Sequence, residues 1–363
     1  MALRTRGIEV EAAGIGGPRL RAAGLDTVVP MESVAVMGFA EVLTHLSPIR
    51  RARSELRRLL GEHPDAIFLA IDSPGLHLGL ARSAKRMGRR VVYYVCPQIW
   101  AWGRGRVGRL REDVDLTLLL FRFEEDLLAR EGVKARWVGH PAGALHPDPA
   151  LRARAREALD LAPGETLLAL LPGSRRGEVR RLLPPMLDAA ARLVAQSPVK
   201  VRVAVSDAGH LSETLGAGRA GALARALRPI VWTGEVGDLL RAADLAVVAS
   251  GTATLETAAL GVPMVIVYRT GWLNYQIARR LVRVPHIGLA NLISGRAGAP
   301  ELIQDRANGP EIAGALARLL TDAAVREAQA SAFAQLPTIL GGEGSAMRAA
   351  DALIAFAAGP GRG

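Results

Sequence analysis

Residues Leu167 to Leu171 form an apolar run that ends in Pro172-Gly173-Ser174-Arg175-Arg176. A helical spacing of Leu182, Leu183, Met186 and Leu187 then opens near Glu178. A strand that empties into a Gly-containing turn at a helix N-terminus presents free backbone N–H groups and the positive end of a helix dipole. Arg175 and Arg176 add guanidinium forks that match phosphate oxygens. The stretch therefore reads as an anion site suited to a diphosphate, although an ordinary strand-to-helix turn with solvated arginines has the same local form. A second stretch of this kind follows the apolar run Leu245 to Ala249: Ser250-Gly251-Thr252-Ala253-Thr254-Leu255-Glu256. Its small residues let a phosphate approach the backbone. Glu256, one turn into the expected helix, offers carboxylate oxygens to ribose hydroxyls.

The candidate general base is Asp72. Ala66 to Ile71 reads as a buried strand whose carboxyl end delivers Asp72-Ser73-Pro74-Gly75, and in open parallel sheets ligands bind beyond the carboxyl ends of strands. The competing reading is that Asp72 caps a helix beginning near Leu76. The next strand, Arg90 to Val95, feeds Cys96-Pro97-Gln98-Ile99-Trp100-Ala101-Trp102. Two tryptophans in one turn either line a sugar or acyl ligand or pack on a neighbouring helix. Cys96 is the only cysteine; it excludes an internal disulfide, fits a reducing compartment, and reads as a buried structural thiol rather than a nucleophile.

Around these residues, short apolar runs alternate with amphipathic segments, which predicts βαβ units and a parallel sheet, twice over. The chain has 363 residues, half of them apolar, enough for two domains each with its own core. Ile8 to Ala13 is a first expected strand; its following Gly14-Ile15-Gly16-Gly17 misses the spacing of a dinucleotide fingerprint. In residues 34–60, Met37, Phe39, Val42 and Leu43 fall at helical spacing with Ala35 and Leu46. Ser47-Pro48 then reads as the N-cap and first position of a second, arginine-fringed helix. That region is either two core-facing helices or an apolar surface at a membrane interface that receives acyl chains. The run 140–149 reads as an interdomain linker, and 310–358 as helical with a break at Gly341-Gly342.

The formal charge is +11, nearly all from arginines dispersed along helical segments. Aromatics make up only 4%, too few for the interleaved stacking that nucleic-acid binding uses, so an anionic phosphosugar or an anionic lipid surface is the better-matched partner. No apolar run approaches the ~18–20 residues that span a bilayer, and the expectation is a cytoplasmic protein, peripheral on the inner face of the membrane.

Taken in order, Ile71-Asp72-Ser73-Pro74, Tyr94-Val95-Cys96-Pro97-Gln98-Ile99-Trp100-Ala101-Trp102, Val138-Gly139-His140-Pro141, Leu171-Pro172-Gly173-Ser174-Arg175, Ser250 to Glu256, Ala278 to Val282 and Pro300-Glu301-Leu302-Ile303-Gln304 resemble the lipid-A-disaccharide synthase family over about residues 8–320. The Pro-Gln-x-Trp-Ala-Trp block is the most specific of these. The resemblance implies an α/β GT-B fold: an acceptor- and lipid-side Rossmann-like domain over 1–145, a UDP-sugar-binding domain over 146–340 with a cleft between them, and a C-terminal segment 341–363 returning to the first domain. It implies an inverting, metal-free and cofactor-free transfer from UDP-2,3-diacylglucosamine to 2,3-diacylglucosamine 1-phosphate, with release of UDP.

By match of motif, Asp72 would deprotonate the acceptor 6-hydroxyl. Gly173, Ser174 and Arg175 would hold the diphosphate, while Ser250, Gly251, Thr252 and Glu256 would hold phosphate and ribose. Asn291 and Glu301 would lie on the same donor side. Met37, Phe39, Val42, Leu43, Gln98, Trp100 and Trp102 would face the acceptor and its acyl chains. A homodimer is a further expectation. The family also carries a strand, a Gly-Glu-x-Ser-Gly-Asp loop and a helix ahead of what is Met1 here, for which a late start is the expected explanation. Position 75, often Asp in the family, is Gly here, and the family's Asn two residues on is His77. Cys96 stands where Ser is common. Other UDP-sugar enzymes of the same plan, a MurG-type transferase or a UDP-N-acetylglucosamine epimerase, and a truncated non-catalytic nucleotide- or lipid-binding protein remain as alternatives.

Overall fold

Apolar runs bounded by turn residues become parallel strands throughout, because each is followed by an amphipathic helix that crosses back over the sheet. The computed structural model describes residues 1–31, 46–99, 104–207, 209–216, 218–281 and 284–359. The chain divides into two units: Met1–His140 with Gly344–Gly363, and Pro141–Glu343.

In the first unit, β1 (Ala13–Gly16) and β2 (Asp26–Pro30) form a two-stranded parallel sheet. The strand expected at Ile8 to Ala13 begins only at Ala13. Ile8 and Val10 alternate with Glu9 and Glu11, and both are 40% exposed, so that segment has no apolar face buried enough to fix a pairing register. A second sheet runs in sequential order through β3 (Ile67–Ile71), β4 (Arg90–Tyr94), β5 (Leu116–Leu119) and β6 (Ala135–Trp137), all parallel. Ser47 and Pro48 lie within helix Leu46–Glu62. Its Ala52, Leu56 and Leu60 are buried at four-residue spacing, while Arg58 pairs outward with Glu55 and Glu62. Helix Pro74–Arg86 buries Leu78, Ala81 and Ala84 in a core shared with Phe68, Ala70, Val91 and Tyr93.

The last helix, Ser345–Ala358, belongs to this first unit, as the resemblance implies. Its Ala349 and Ala352 pack on Val92, Leu118 and Val138. Arg348 Nε donates to the Val138 carbonyl at 2.8 Å, and Arg6 grips Asp351 through two bonds of 2.8 Å.

The second unit is a six-stranded parallel sheet of β7 (Thr166–Leu171), β8 (Val201–Ser206), β9 (Ile230–Trp232), β10 (Leu245–Ala249), β11 (Met264–Tyr268) and β12 (Glu301–Ile303) in the order β12-β11-β10-β7-β8-β9. The interior strands are covered on both faces, which is why they read as unbroken apolar runs. Helix Arg176–Gln196 buries Val179, Leu182, Leu183, Met186 and Leu187 against β7, β8 and β10 residues. The expected helical tract 310–358 is divided more often than the glycines suggest: Asp322 ends one helix and caps the next, Ala323–Phe333, by accepting from the Ala324 and Val325 N–H groups.

Candidate active site

In the first unit the carboxyl ends of β3 and β4 carry candidate residues Asp72 and Gln98 and, among the described residues, its left-handed non-glycine backbone. Asp72 and Ser73 have φ of 48° and 45°, and Val95 has φ of 70°. Left-handed φ at non-glycine residues costs of order 1–3 kcal/mol each and is worst for a β-branched side chain. Asp72 is exposed. Its N–H donates to the Tyr94 carbonyl at 2.9 Å, extending the β3–β4 ladder one residue past the strand. Its carbonyl oxygen lies 2.7 Å from the Tyr93 hydroxyl and 2.9 Å from His77 Nδ1. The helix that follows starts at Pro74 with Ser73 in the cap position and no side-chain cap bond. The capping role weighed for Asp72 is thus not the one it plays. Gly75, in that helix's first turn, accepts a 2.8 Å hydrogen bond from Arg53 through its carbonyl.

A carbonyl oxygen only accepts, so both Tyr93 and His77 donate to it, and the imidazole carries its proton on Nδ1. Burial lowers the His77 pKa, with the contact to Asp72 opposing that shift, which favours the neutral ring. Burial likewise raises the Tyr93 hydroxyl. Cys96 is buried, donates to the Pro97 carbonyl, and burial pushes its thiol up, as expected of a structural cysteine. Gln98 is exposed. Met37, Phe39, Val42, Leu43, Trp100 and Trp102 lie outside the described residues.

In the second unit the two Gly-containing turns follow β7 and β10, which are hydrogen-bonded neighbours in register, Leu171 beside Val248. β8 and β9 extend the sheet from one side of this pair, and β11 and β12 from the other. The pair is therefore the topological switch point, where such sheets open a crevice for ligands. Gly173 has φ of 102°, a conformation that favours glycine, and a Cβ there would crowd the Glu178 side chain, whose Oε2 lies 2.5 Å away and can swing aside. Ser174 is exposed, and Arg175 occupies the cap position of the 21-residue helix Arg176–Gln196. The Arg175 guanidinium bonds Glu178 at 2.9 Å while remaining about half exposed, and Arg176 pairs with Glu213. Glu178 was not singled out by sequence; its place three residues after Arg175 is the signal that could have found it.

At the second turn, Ser250 Oγ donates to the Ile287 carbonyl at 2.8 Å. A Cβ at Gly251 would meet open space, Thr252 is exposed, and Glu256 is half-buried in the helix Ala253–Ala259. Thr254, buried, donates to the Gly251 carbonyl and accepts from the Ala290 N–H. Asn291 and Glu301 face inward. Asn291, fully buried, donates to the Ala299 carbonyl and to Glu301 Oε1, both at 2.8 Å, and accepts from the Ala299 N–H at 2.9 Å. Glu301 accepts from the Ile287 and Gly288 N–H groups at 2.9 and 3.0 Å. Together these side chains tie the segment 286–291 across the Ser250 turn. Asn291 and Glu301 also line a cavity of about 390 Å³ with His286, Pro300, Arg318 and Gln329.

The lipid-A-disaccharide synthetase family model matches residues 2–352. The lipid-A-disaccharide synthase of Anaeromyxobacter dehalogenans strain 2CP-1 is 41% identical over 95% of this chain and 89% of its own length. That of Azotobacter vinelandii is 43% identical over 86% of this chain and 82% of its own. Among solved structures, the calicheamicin glycosyltransferase CalG4 superposes with a TM-score of 0.56 at 19% identity, covering 99% of this chain and 94% of that one. Anabaena Alr3699/HepE, solved in complex with UDP and glucose, gives 0.54 at 14% identity over 95% and 91%. At these identities the structural likeness bears on the fold, which is that of the GT-B glycosyltransferases.

Proposed function

The chain belongs to the lipid-A-disaccharide synthetase family, and from that premise we propose how its residues divide the work. It is a glycosyltransferase of lipid A biosynthesis. In our reading the donor is UDP-2,3-diacylglucosamine and the acceptor 2,3-diacylglucosamine 1-phosphate. The second unit binds the UDP-sugar, and the first binds the acceptor and its acyl chains. Gly173, Ser174 and Arg175 take the diphosphate, Ser250, Gly251, Thr252 and Glu256 take phosphate and ribose, and Asn291 and Glu301 hold the segment that walls the donor.

Asp72 accepts the proton of the acceptor 6-hydroxyl as that oxygen attacks the anomeric carbon from the face opposite UDP. The carbon–oxygen bond to the β-phosphate breaks, the anomeric configuration inverts, and UDP departs with the bonding electrons. Negative charge grows on the leaving diphosphate, so fixed N–H dipoles and a guanidinium stabilise the transition state more than the ground state. Met37, Phe39, Val42, Leu43, Gln98, Trp100 and Trp102 contribute the acceptor and lipid side. No helix among the described residues is long and apolar enough to cross a membrane. Substrates bearing two acyl chains are held in a bilayer, so we place the enzyme at the inner face of the membrane as a peripheral protein.

The observation that carries this reading is the pair of Gly-containing turns on adjacent strands at the switch point of the second unit, in a chain 41% identical to a lipid-A-disaccharide synthase. Replacement of Asp72 by Asn tests the chemistry. Titration calorimetry with UDP is expected to give an unchanged affinity, and turnover is expected to fall about 10²–10⁴-fold. Near-normal turnover in that variant removes Asp72 from the role.

A further inference from the structure

The Asp72 backbone sits at φ of 48° and the next residue at 45°, a conformation that persists only where the surroundings over-determine it. Two side chains from different elements converge on its carbonyl oxygen. Tyr93 comes from β4, where its ring is fully buried and its hydroxyl reaches that oxygen at 2.7 Å. His77 comes from the first turn of helix Pro74–Arg86 and reaches it at 2.9 Å, its ring set edge-on to Phe68 with centroids 6.4 Å apart. On the other side of the residue, the Asp72 N–H is fixed to the Tyr94 carbonyl. Both peptide planes flanking the Asp72 Cα are therefore pinned, which sets the direction of its Cα–Cβ bond and leaves only the side-chain torsions to place the carboxylate. A bare core phenol needs one acceptor, and a bare helix-turn histidine needs none. Their meeting on one strained carbonyl is the observation to explain.

We infer that Tyr93 and His77 are positioning residues for the Asp72 carboxylate, acting through the Asp72 carbonyl oxygen. The inference rests on the reading of Asp72 as the base. Because a misplacement of about 1 Å can cost roughly 100-fold in rate, loss of either donor shows in kcat and not in substrate binding.

Steady-state assays with UDP-2,3-diacylglucosamine and 2,3-diacylglucosamine 1-phosphate compare Tyr93→Phe, His77→Leu, His77→Asn and Asp72→Asn, and Tyr93→Phe combined with Asp72→Asn. The expected result is a kcat lowered roughly 10- to 100-fold in Tyr93→Phe and in His77→Leu, with both KM values essentially unchanged. His77→Asn recovers most of the loss, because an asparagine Nδ2 occupies the place of the histidine Nδ1 and donates from it. In the Asp72→Asn background, Tyr93→Phe produces no further loss, since its effect passes through the carboxylate. Should Tyr93→Phe fail to fold, the His77→Leu and His77→Asn pair decides alone.

Wild-type kcat in the donor-deleting variants, beside a crippled Asp72→Asn, overturns this inference and leaves the base intact. So does a Tyr93→Phe loss that carries undiminished into the double variant. Full turnover in Asp72→Asn itself overturns the base and the inference with it.

Discussion

Asn291→Leu separates two roles for a polar residue beside a binding site: contact with the ligand, or support of the segment that forms the wall. The substitution keeps volume and removes the amide. In the structure that amide is fully buried and engaged on every side: both N–H bonds go to protein oxygens at 2.8 Å, and the carbonyl accepts from the Ala299 N–H at 2.9 Å. Ala299 is 3% exposed and borders the cavity of about 390 Å³ beside Asn291, so water reaching that cavity sets the lower end of the cost. Leucine leaves the Ala299 N–H and carbonyl without this partner, at about 1–3 kcal/mol for each unsatisfied buried group. The Glu301 carboxylate keeps its two backbone donors at 2.9 and 3.0 Å and adds little to the cost. The sum is roughly 2–6 kcal/mol. With a urea m-value of ~2–3 kcal/mol/M for a unit of this size, the unfolding midpoint followed by circular dichroism is expected to drop by roughly 1–3 M. Hydrogen exchange at the Ala299 amide is expected to quicken in parallel. An unchanged midpoint together with a raised KM for the nucleotide sugar would mean instead that Asn291 meets the donor itself.

Arg175→Lys keeps the charge and removes the planar fork. If the guanidinium exchanges Glu178 for the diphosphate, kcat/KM for the donor falls roughly 10- to 100-fold in steady-state assays, whereas a solvated Arg175 leaves it unchanged. His140, stacked on Phe121 with centroids 5.8 Å apart, has its pKa pushed down by burial from 6.5 to about 4. Below pH ~6.5 the unfolded chain takes up a proton that the folded chain refuses, so this stability is complete above that pH and is lost as the pH falls toward 4. The expected loss between pH 7 and pH 5 is about 2 kcal/mol, read as a urea midpoint shift that His140→Phe reduces by that amount.

Much of the fold was legible because its signals are local. Leu245 to Ala249 and Ile230 to Trp232 fall where their apolar runs end, and Pro172-Gly173-Ser174 marks a turn whose conformation favours glycine. Signals that depend on partners were not. Ile8 to Val10 has the alternation of a strand but no sheet beside it. The mutual bond of Asn291 and Glu301 and their bonds to the backbone of 287, 288 and 299 have no local signal, because polar residues around a loop look alike in sequence whether they point outward or inward. Nothing in Ile71-Asp72-Ser73-Pro74 announces two successive left-handed residues, and Tyr93 reads as an ordinary core aromatic until its hydroxyl is seen on the Asp72 carbonyl.

Mass spectrometry of the products reads out the joining of two acylated sugars with release of UDP. The chain is incubated with UDP-2,3-diacylglucosamine and 2,3-diacylglucosamine 1-phosphate without added metal. A tetraacyl disaccharide 1-phosphate and UDP are expected in equal amounts. UDP released alongside a free diacylglucosamine, with no disaccharide formed, would contradict glycosyl transfer to the acceptor.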